Sequence, residues 1–367
     1  MSATTTTTTT LPSPTLHLTS HPQNKNLTPL VSTNSLASYP HISSTPIIGT
    51  EFPSSVQLTS LLASDAFIRD LAILVSQRGV VFFRAQVITI EQQTELAARL
   101  GELSGKPDTS GLHVHPLTKE FSELGDRVSV ISSEGKKVVA SGESEERSAR
   151  ASNGWHADIT FEKIPSDYAI LKVHTLPETG GDTLWASAYE AYDRLSPAYQ
   201  RFLEGLTATH NATRFNEAAA RAGYKIRESR GAPENQGTDL TAVHPVIRTN
   251  PVTRWKGLFV NKGFTKRINE LTKDESDNVL DYLFRHISEN HDLQVRFKWG
   301  HYQDGAADVA IWDNRSVFHT ATDDYLELGG IRAGDRVVSL GEKPTLVSGS
   351  KSRREVLGLP RFGGQQF

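Results

Sequence analysis

The chain has 367 residues, of which 37% are hydrophobic, carries a formal net charge of −3 and contains no cysteine. Without thiols there are no disulfides, no thiol nucleophile and no thiolate metal site, so a transition metal would have to sit on histidine and carboxylate. The near-neutral charge, with no basic face, gives no electrostatic reason to expect nucleic acid. No apolar run approaches the roughly 18 residues of a membrane span.

Residues 1–46 read as a disordered Thr/Ser/Pro-rich leader with no part in chemistry: Thr4 to Thr10 are all threonine, and Ser, Pro and Asn follow. With no signal-peptide core and Lys25 as its only Lys or Arg, this leader predicts a cytoplasmic protein. The folded part is expected from residue 47. Leu58, Leu61, Ile68, Leu71 and Val75 follow helical spacing over 57–78, broken once by Asp65, and Val80–Phe83 reads as a buried strand. Thr89 and Gln92 form a capping box for a helix to about Leu100. From Ser104 to Gly154 the chain is polar apart from Val128–Ile131, as expected of a lid over an active site. Tyr168–Leu176 alternates as a strand, with His174 read as packed or hydrogen-bonded. Helices follow at 187–195 and 197–206, then a second polar lid over 211–243 with Phe215 as a pocket wall. Thr272 and Glu275 cap a helix to Ile287, Asp308–Asp313 is a strand, and 346–367 is expected to be a tail.

Chemistry concentrates in His156-x-Asp158. In an extended segment the two side chains point to one face, so an imidazole nitrogen and a carboxylate oxygen can meet on one ion. His319 is the best third ligand, and two His with one carboxylate make the facial triad of non-heme Fe(II) oxygenases. Spacing alone leaves a surface His beside a surface Asp open, as well as a zinc hydrolase. Arg332, Gly334 and Arg336 share one face of a later strand: either both arginines are solvated, or they face inward toward anions.

The flanking runs decide between these readings. Trp155–Phe161, Gly180–Trp185, Leu258–Thr265, Trp312–Arg315 through His319, Arg336 and Leu340–Pro344 occur in an order that resembles the taurine dioxygenase family of Fe(II)/2-oxoglutarate-dependent oxygenases, over roughly residues 47–344. The resemblance implies an α+β fold, a double-stranded β-helix (jelly roll) with flanking helices, as one catalytic domain at 47–345. It implies Fe(II) on His156, Asp158 and His319, and 2-oxoglutarate held by Thr183 and Arg332. His115 and Arg336 would hold the substrate's acid group, with Phe264, like Phe215, either a pocket wall or core. The turn between His319 and Arg332 is slightly longer than in bacterial taurine enzymes, which leaves the division of labour between Arg332 and Arg336 open.

Thr118 and Ser152 stand where those enzymes place a Tyr and an Asn toward the amine, so the substrate is expected to be a small acid that need not be taurine. The implied reaction consumes dioxygen and hydroxylates a C–H of that acid, releasing succinate and carbon dioxide; on a taurine-like sulfonate the product would collapse to an aldehyde and sulfite. A tailoring oxygenase acting on an amino acid or other carboxylate is the rival reading, and a jelly-roll protein binding metal or acid without turnover is a third. The family commonly forms oligomers, but the sequence does not count subunits.

Overall fold

A computed structural model describes residues 28–118, 123–134 and 150–362. In chain order its strands are β1 (Ile42–Ser43), β2 (Thr50–Phe52), β3 (Val80–Gln86), β4 (Val128–Ser132), β5 (Ser166–Thr175), β6 (Thr183–Ser187), β7 (Thr207–Asn211) and β8 (Thr241–Pro245). They continue with β9 (Ile247–Thr249), β10 (Lys256–Leu258), β11 (Thr265–Ile268), β12 (Gln294–Phe297), β13 (Ala307–Asp313), β14 (Val317–Ala321) and β15 (Ala333–Leu340). The α-helices are α1 (Leu58–Leu61), α2 (Asp65–Arg78), α3 (Ile90–Ser104), α4 (Ala188–Asp193), α5 (Pro197–Leu203), α6 (Thr213–Arg221), α7 (Lys273–Ser288) and α8 (Arg353–Leu357). The mixture of helices and sheets bears out the α+β class.

Two sheets frame the site. The larger runs β1-β2-β3-β13-β5-β15-β4, antiparallel except where β2 meets β3, and the smaller runs β12-β6-β14. Strand alternation gives the larger sheet two apolar faces. Val81, Phe83, Tyr168, Ile170, Val309, Ile311 and Val337 face α2 and α3 in one cluster. Phe82, Ala169, Leu171, Val173, Ala310, Trp312 and Val338 share another cluster with Trp185, Val295, Phe297 and Val317 of the smaller sheet. Phe82 spans the gap, stacking on Phe297 with centroids 4.1 Å apart and meeting Trp185 edge-on at 5.3 Å. The two sheets therefore face each other across an apolar core, with His319 on a strand of the smaller and Arg336 on a strand of the larger.

Local signals were good guides. Thr89 caps α3 reciprocally with Gln92, and Glu275 accepts from both the amide and hydroxyl of Thr272 ahead of α7. The break at Asp65 is a true one: the chain stops after α1 and restarts at Asp65 as α2. The helices expected at 187–195 and 197–206 are shorter, ending at Asp193 and Leu203. The polar stretch 211–243 contains α6 and most of β8 rather than loop throughout. Of the expected lid, residues 119–122 and 135–149 lie outside the described residues, while its apolar stretch Val128–Ser132 is not loop but strand β4, paired with β15.

Both ends of the chain need correction. Residues 1–27 lie outside the described residues, but 28–46 are docked rather than loose. Asp70 on α2 accepts from the Thr33 amide at 2.9 Å and hydroxyl at 2.8 Å, and from the Ser35 amide and hydroxyl, each at 2.8 Å. Leu36 is buried, and β1 pairs with β2. Burial would raise the Asp70 pKa, but these donors outweigh it and hold it at about 2. At the other end, Ser352 and Glu355 cap α8, and the Arg354 amide reaches Asp193 at 3.1 Å. The leader and tail expected from composition are thus partly scaffold, because polar side chains far along the chain supply their partners.

Candidate active site

The two histidines of the proposed triad are brought together by backbone. His156 and His319 form an antiparallel bridge, the His156 amide donating to the His319 carbonyl at 3.0 Å and the reverse at 2.7 Å. His319 lies on β14 opposite Trp185 of β6, and alternation turns both toward the core. The Nε2 atoms of His156 and His319 each lie 3.8 Å from Asp158 Oδ1. One ligand atom from each of the three residues falls within 4.8 Å of the others, the only such His/Asp/Glu grouping among the described residues.

Each ligand is held in a form suited to a cation. His156 Nδ1 lies 2.7 Å from the Gly154 carbonyl; a carbonyl only accepts, so Nδ1 carries the proton and Nε2 keeps its lone pair. Burial, ahead of its neighbours' charges, lowers the pKa of both histidines, that of His319 to about 3. Burial would raise Asp158, but the Arg336 guanidinium first and the two imidazoles next hold it at about 2. At neutral pH the set is two neutral imidazoles and one carboxylate. Ile159, directly after Asp158, has φ +50°, a strained conformation for a β-branched residue.

Asn314 is a functional residue the sequence reading passed over, although it lies in the Trp312–Arg315 run. Its Oδ1 accepts from the Asp158 amide and from Trp312 Nε1, both at 3.0 Å. Its Nδ2 donates to Ser166 Oγ at 2.9 Å and lies 3.5 Å from Asp158 Oδ2. It fixes where Asp158 points.

Arg332 and Arg336 both face the core side of the larger sheet, since Gly334 pairs with Val173 and Arg336 with Leu171, two residues of the inner cluster. The inward alternative is the one the fold adopts. A Cβ at Gly334 would lie 2.3 Å from the Lys172 carbonyl oxygen, so the bulge between the arginines requires glycine. Arg332 is buried; its Nε donates to the Gly181 carbonyl at 2.8 Å and its Nη2 to Thr183 Oγ1 at 3.0 Å. Trp299 Nε1 donates to the same hydroxyl oxygen at 3.1 Å, so the Thr183 proton is free to point elsewhere. Among the described residues no carboxylate lies within ion-pairing distance of Arg332. A buried guanidinium with no directly paired carboxylate, only the more distant charges of Asp323 and Asp182, beside a hydroxyl with a free hydrogen, suits the carboxylate of an oxoacid.

Arg336 departs from expectation: its Nη1 donates to Asp158 Oδ1 at 2.6 Å, the same oxygen both imidazoles face. His115 accepts from the Leu117 amide at Nδ1, 3.2 Å away, so its Nε2 carries the hydrogen while the ring is neutral. Burial, then the charges of His113 and Arg336, lower its pKa to about 3. Phe161, Phe215 and Phe264 pack edge-on or tilted at 5.1–6.3 Å, with Phe264 6.1 Å from His156 and Phe215 5.0 Å from His115. Phe215 and Phe264 thus lie against His115 and His156 and also pack on the core. Thr118 is half-buried in the turn closed by its amide on the His115 carbonyl, whereas Ser152 is exposed on the turn Ala151–Gly154. His174 lies on the other face of β5, 3.6 Å from Asp335 and away from the triad.

Residues 40–337 match the family described as Taurine catabolism dioxygenase TauD, TfdA family. The chain belongs to this family. It is 43% identical over 368 residues to an alpha-ketoglutarate-dependent dioxygenase, esdpJ, of Penicillium shearii, covering 90% of this chain and 96% of that protein. It is 36% identical to an alpha-ketoglutarate-dependent sulfonate dioxygenase of Saccharomyces cerevisiae, covering 77% of this chain and 62% of that one. A taurine dioxygenase of known structure from Burkholderia xenovorans superimposes with a TM-score of 0.64 at 26% identity, covering 86% of this chain and 95% of that one.

The TauD/TfdA protein described here is thus a dioxygenase using Fe(II) and 2-oxoglutarate, and its donor set fits both. Two imidazoles and a carboxylate, with Nε2 lone pairs turned to one point, suit Fe(II). No helix among the described residues is long and apolar enough to cross a membrane.

Proposed function

We propose that the enzyme hydroxylates a C–H bond of a small carboxylic acid, that His156, Asp158 and His319 hold the iron, and that its two facing sheets form a jelly roll. When bound, Fe(II) and 2-oxoglutarate supply the oxidising power: dioxygen is consumed, 2-oxoglutarate is converted to succinate and carbon dioxide, and one oxygen atom enters the substrate. The protein's own part is positioning. Arg332 takes the distal carboxylate of 2-oxoglutarate as a bidentate pair, and the free hydrogen of Thr183 adds a second donor. Phe161, Phe215 and Phe264 exclude water and hold the target carbon beside the triad.

The observation that carries the acid preference is the donor pair beside Asp158: the Arg336 guanidinium, and neutral His115 with its hydrogen on Nε2. Both donate, and neither offers an acceptor for an amine. Two further observations favour a carboxylate over taurine. Ser152 is exposed, and the 43% relative is named simply as a dioxygenase while the name sulfonate dioxygenase belongs to a 36% relative. The sulfonate reading, with release of an aldehyde and sulfite, stands second on the strength of that relative.

The test is succinate release by iron-loaded protein across a panel of carboxylates, amino acids and sulfonates, with His156→Ala and Arg336→Ala in parallel. Stimulation by carboxylates, absent in both variants, is the expected result. A strong preference for taurine with sulfite formation would overturn the carboxylate assignment in favour of the sulfonate one.

A further inference from the structure

Arg214 is absent from every role assigned so far, yet its surroundings are those of a binding group. It sits in the first turn of α6, with its guanidinium carbon 4.8 Å from the centroid of Phe264 and 5.3 Å from that of Phe215, two walls of the cleft. Stacked on aromatic faces, a guanidinium still has its in-plane N–H fork available to a carboxylate. Lys266 on β11 stands close enough that, after burial, the Arg214 charge is what lowers its pKa. Both side chains are exposed, and no carboxylate among the described residues pairs with either cation, so two like charges lie open to solvent beside Phe215 and Phe264. Screened by water they cost little, and both remain available to an arriving anion.

Charge accounting points the same way. The two positive charges of Fe(II) and that of Arg332 are balanced by Asp158 and the two carboxylates of 2-oxoglutarate. Arg336 and Arg214 remain, one beside the triad and one at the mouth.

We propose that Arg214 binds a second acid group of the substrate at the mouth of the cleft, and that the substrate is a diacid reaching from the triad to α6. This rests on the acid-hydroxylase reading above and names its substrate class. Arg336 and His115 take the inner acid group, the phenylalanines cover the apolar middle, and Arg214, helped by Lys266, takes the outer one. Arg214 is here a specificity-determining residue.

The experiment compares a graded series of straight-chain α,ω-dicarboxylic acids with their monomethyl esters, in wild type, Arg214→Gln and Arg214→Lys. Stimulated succinate release gives KM and kcat; anaerobic calorimetry with saturating 2-oxoglutarate gives binding without turnover. One charge-assisted pair predicts that Arg214→Gln raises KM and Kd for the best diacid about 10- to 100-fold. The half-ester constants and the substrate-independent succinate rate stay unchanged, and Arg214→Lys recovers part of the loss. Equal loss on diacid and half-ester, or a fall in kcat on both, would overturn the assignment and leave Arg214 a structural part of the lid helix. Wild-type protein that makes succinate alone but is stimulated by no carboxylic acid would overturn the acid-hydroxylase reading, and the diacid with it.

Discussion

Arg315 and Arg332 are both buried arginines on the C-terminal half of the chain, and they are treated in opposite ways. Arg315 lies against the Asp313 carboxylate, donating from Nε to Oδ1 at 2.8 Å and from Nη2 to Oδ2 at 2.9 Å. Ser76 and Asn250 donate to the same carboxylate at 2.7 and 2.9 Å, and Tyr168 lies under the guanidinium. Arg332 has a carbonyl, a hydroxyl and the Trp299 ring, and no carboxylate among the described residues. The first arrangement is closed and holds β13 to α2. The second is a cation waiting for a carboxylate. Burial alone therefore does not mark a functional charge; burial without a counter-ion does.

Substitutions can break this contrast. Asp313→Asn would leave buried Arg315 with only the 3.5 Å contact to Glu342 as an ion pair, and is expected to cost about 3–5 kcal/mol in urea unfolding. Arg332→Met removes a cation that has no ion-paired carboxylate among the described residues, only the more distant charges of Asp323 and Asp182. Its two neutral hydrogen bonds are lost, so the cost in unfolding should be smaller than for Asp313→Asn, about 1–2 kcal/mol, while 2-oxoglutarate KM rises by a factor on the order of 100 through the lost carboxylate pair. If Arg332→Met destabilised the fold as Asp313→Asn does, the distinction between the two arginines would fail. Asn314→Leu sharpens it from the ligand side: with the Asp158 amide and carboxylate released, metal affinity should fall about 10- to 100-fold with little change in 2-oxoglutarate KM at saturating iron.

The smallest effect concerns the N-terminal segment. Asp70 has its folded pKa at about 2, below the ordinary carboxylate value, so its contribution to docking is complete above pH 4 and is lost as pH falls toward 2. Protection of the Thr33 and Ser35 amides, taken relative to their intrinsic exchange rate at each pH, should therefore fall across that interval. The same loss of protection is expected at neutral pH in Asp70→Ala, which no longer titrates. Protection independent of pH in the wild type would remove Asp70 as the clamp.

What was legible in the sequence was local or came in a run. The capping boxes at Thr89/Gln92 and Thr272/Glu275 act over three residues, and His156-x-Asp158 needs only an extended backbone. The run that ends at His319 carried the third ligand by resemblance. What was not legible depends on pairs distant along the chain. Arg336 reaches Asp158 across 178 residues and Asn314 reaches the Asp158 amide across 156. Thr33 and Ser35 find Asp70 from a stretch whose composition alone reads as disorder. Arg214 has no pattern at all: its interest comes from the two rings beneath it and the carboxylate it lacks. Composition reports what a segment can bury by itself, and says little of what a distant element will do for it.

The reciprocal amide–carbonyl bridge between His156 and His319 also bears on how the protein matures. Each histidine belongs to a different half of the catalytic region, so their backbone pairing is a long-range one. Such non-local pairings close late, because loop-closure entropy is spent before the contact is gained. Newly made chain is therefore without a complete iron site until its sheets have assembled. Iron captured there ties the two halves together and draws the folding equilibrium forward by mass action.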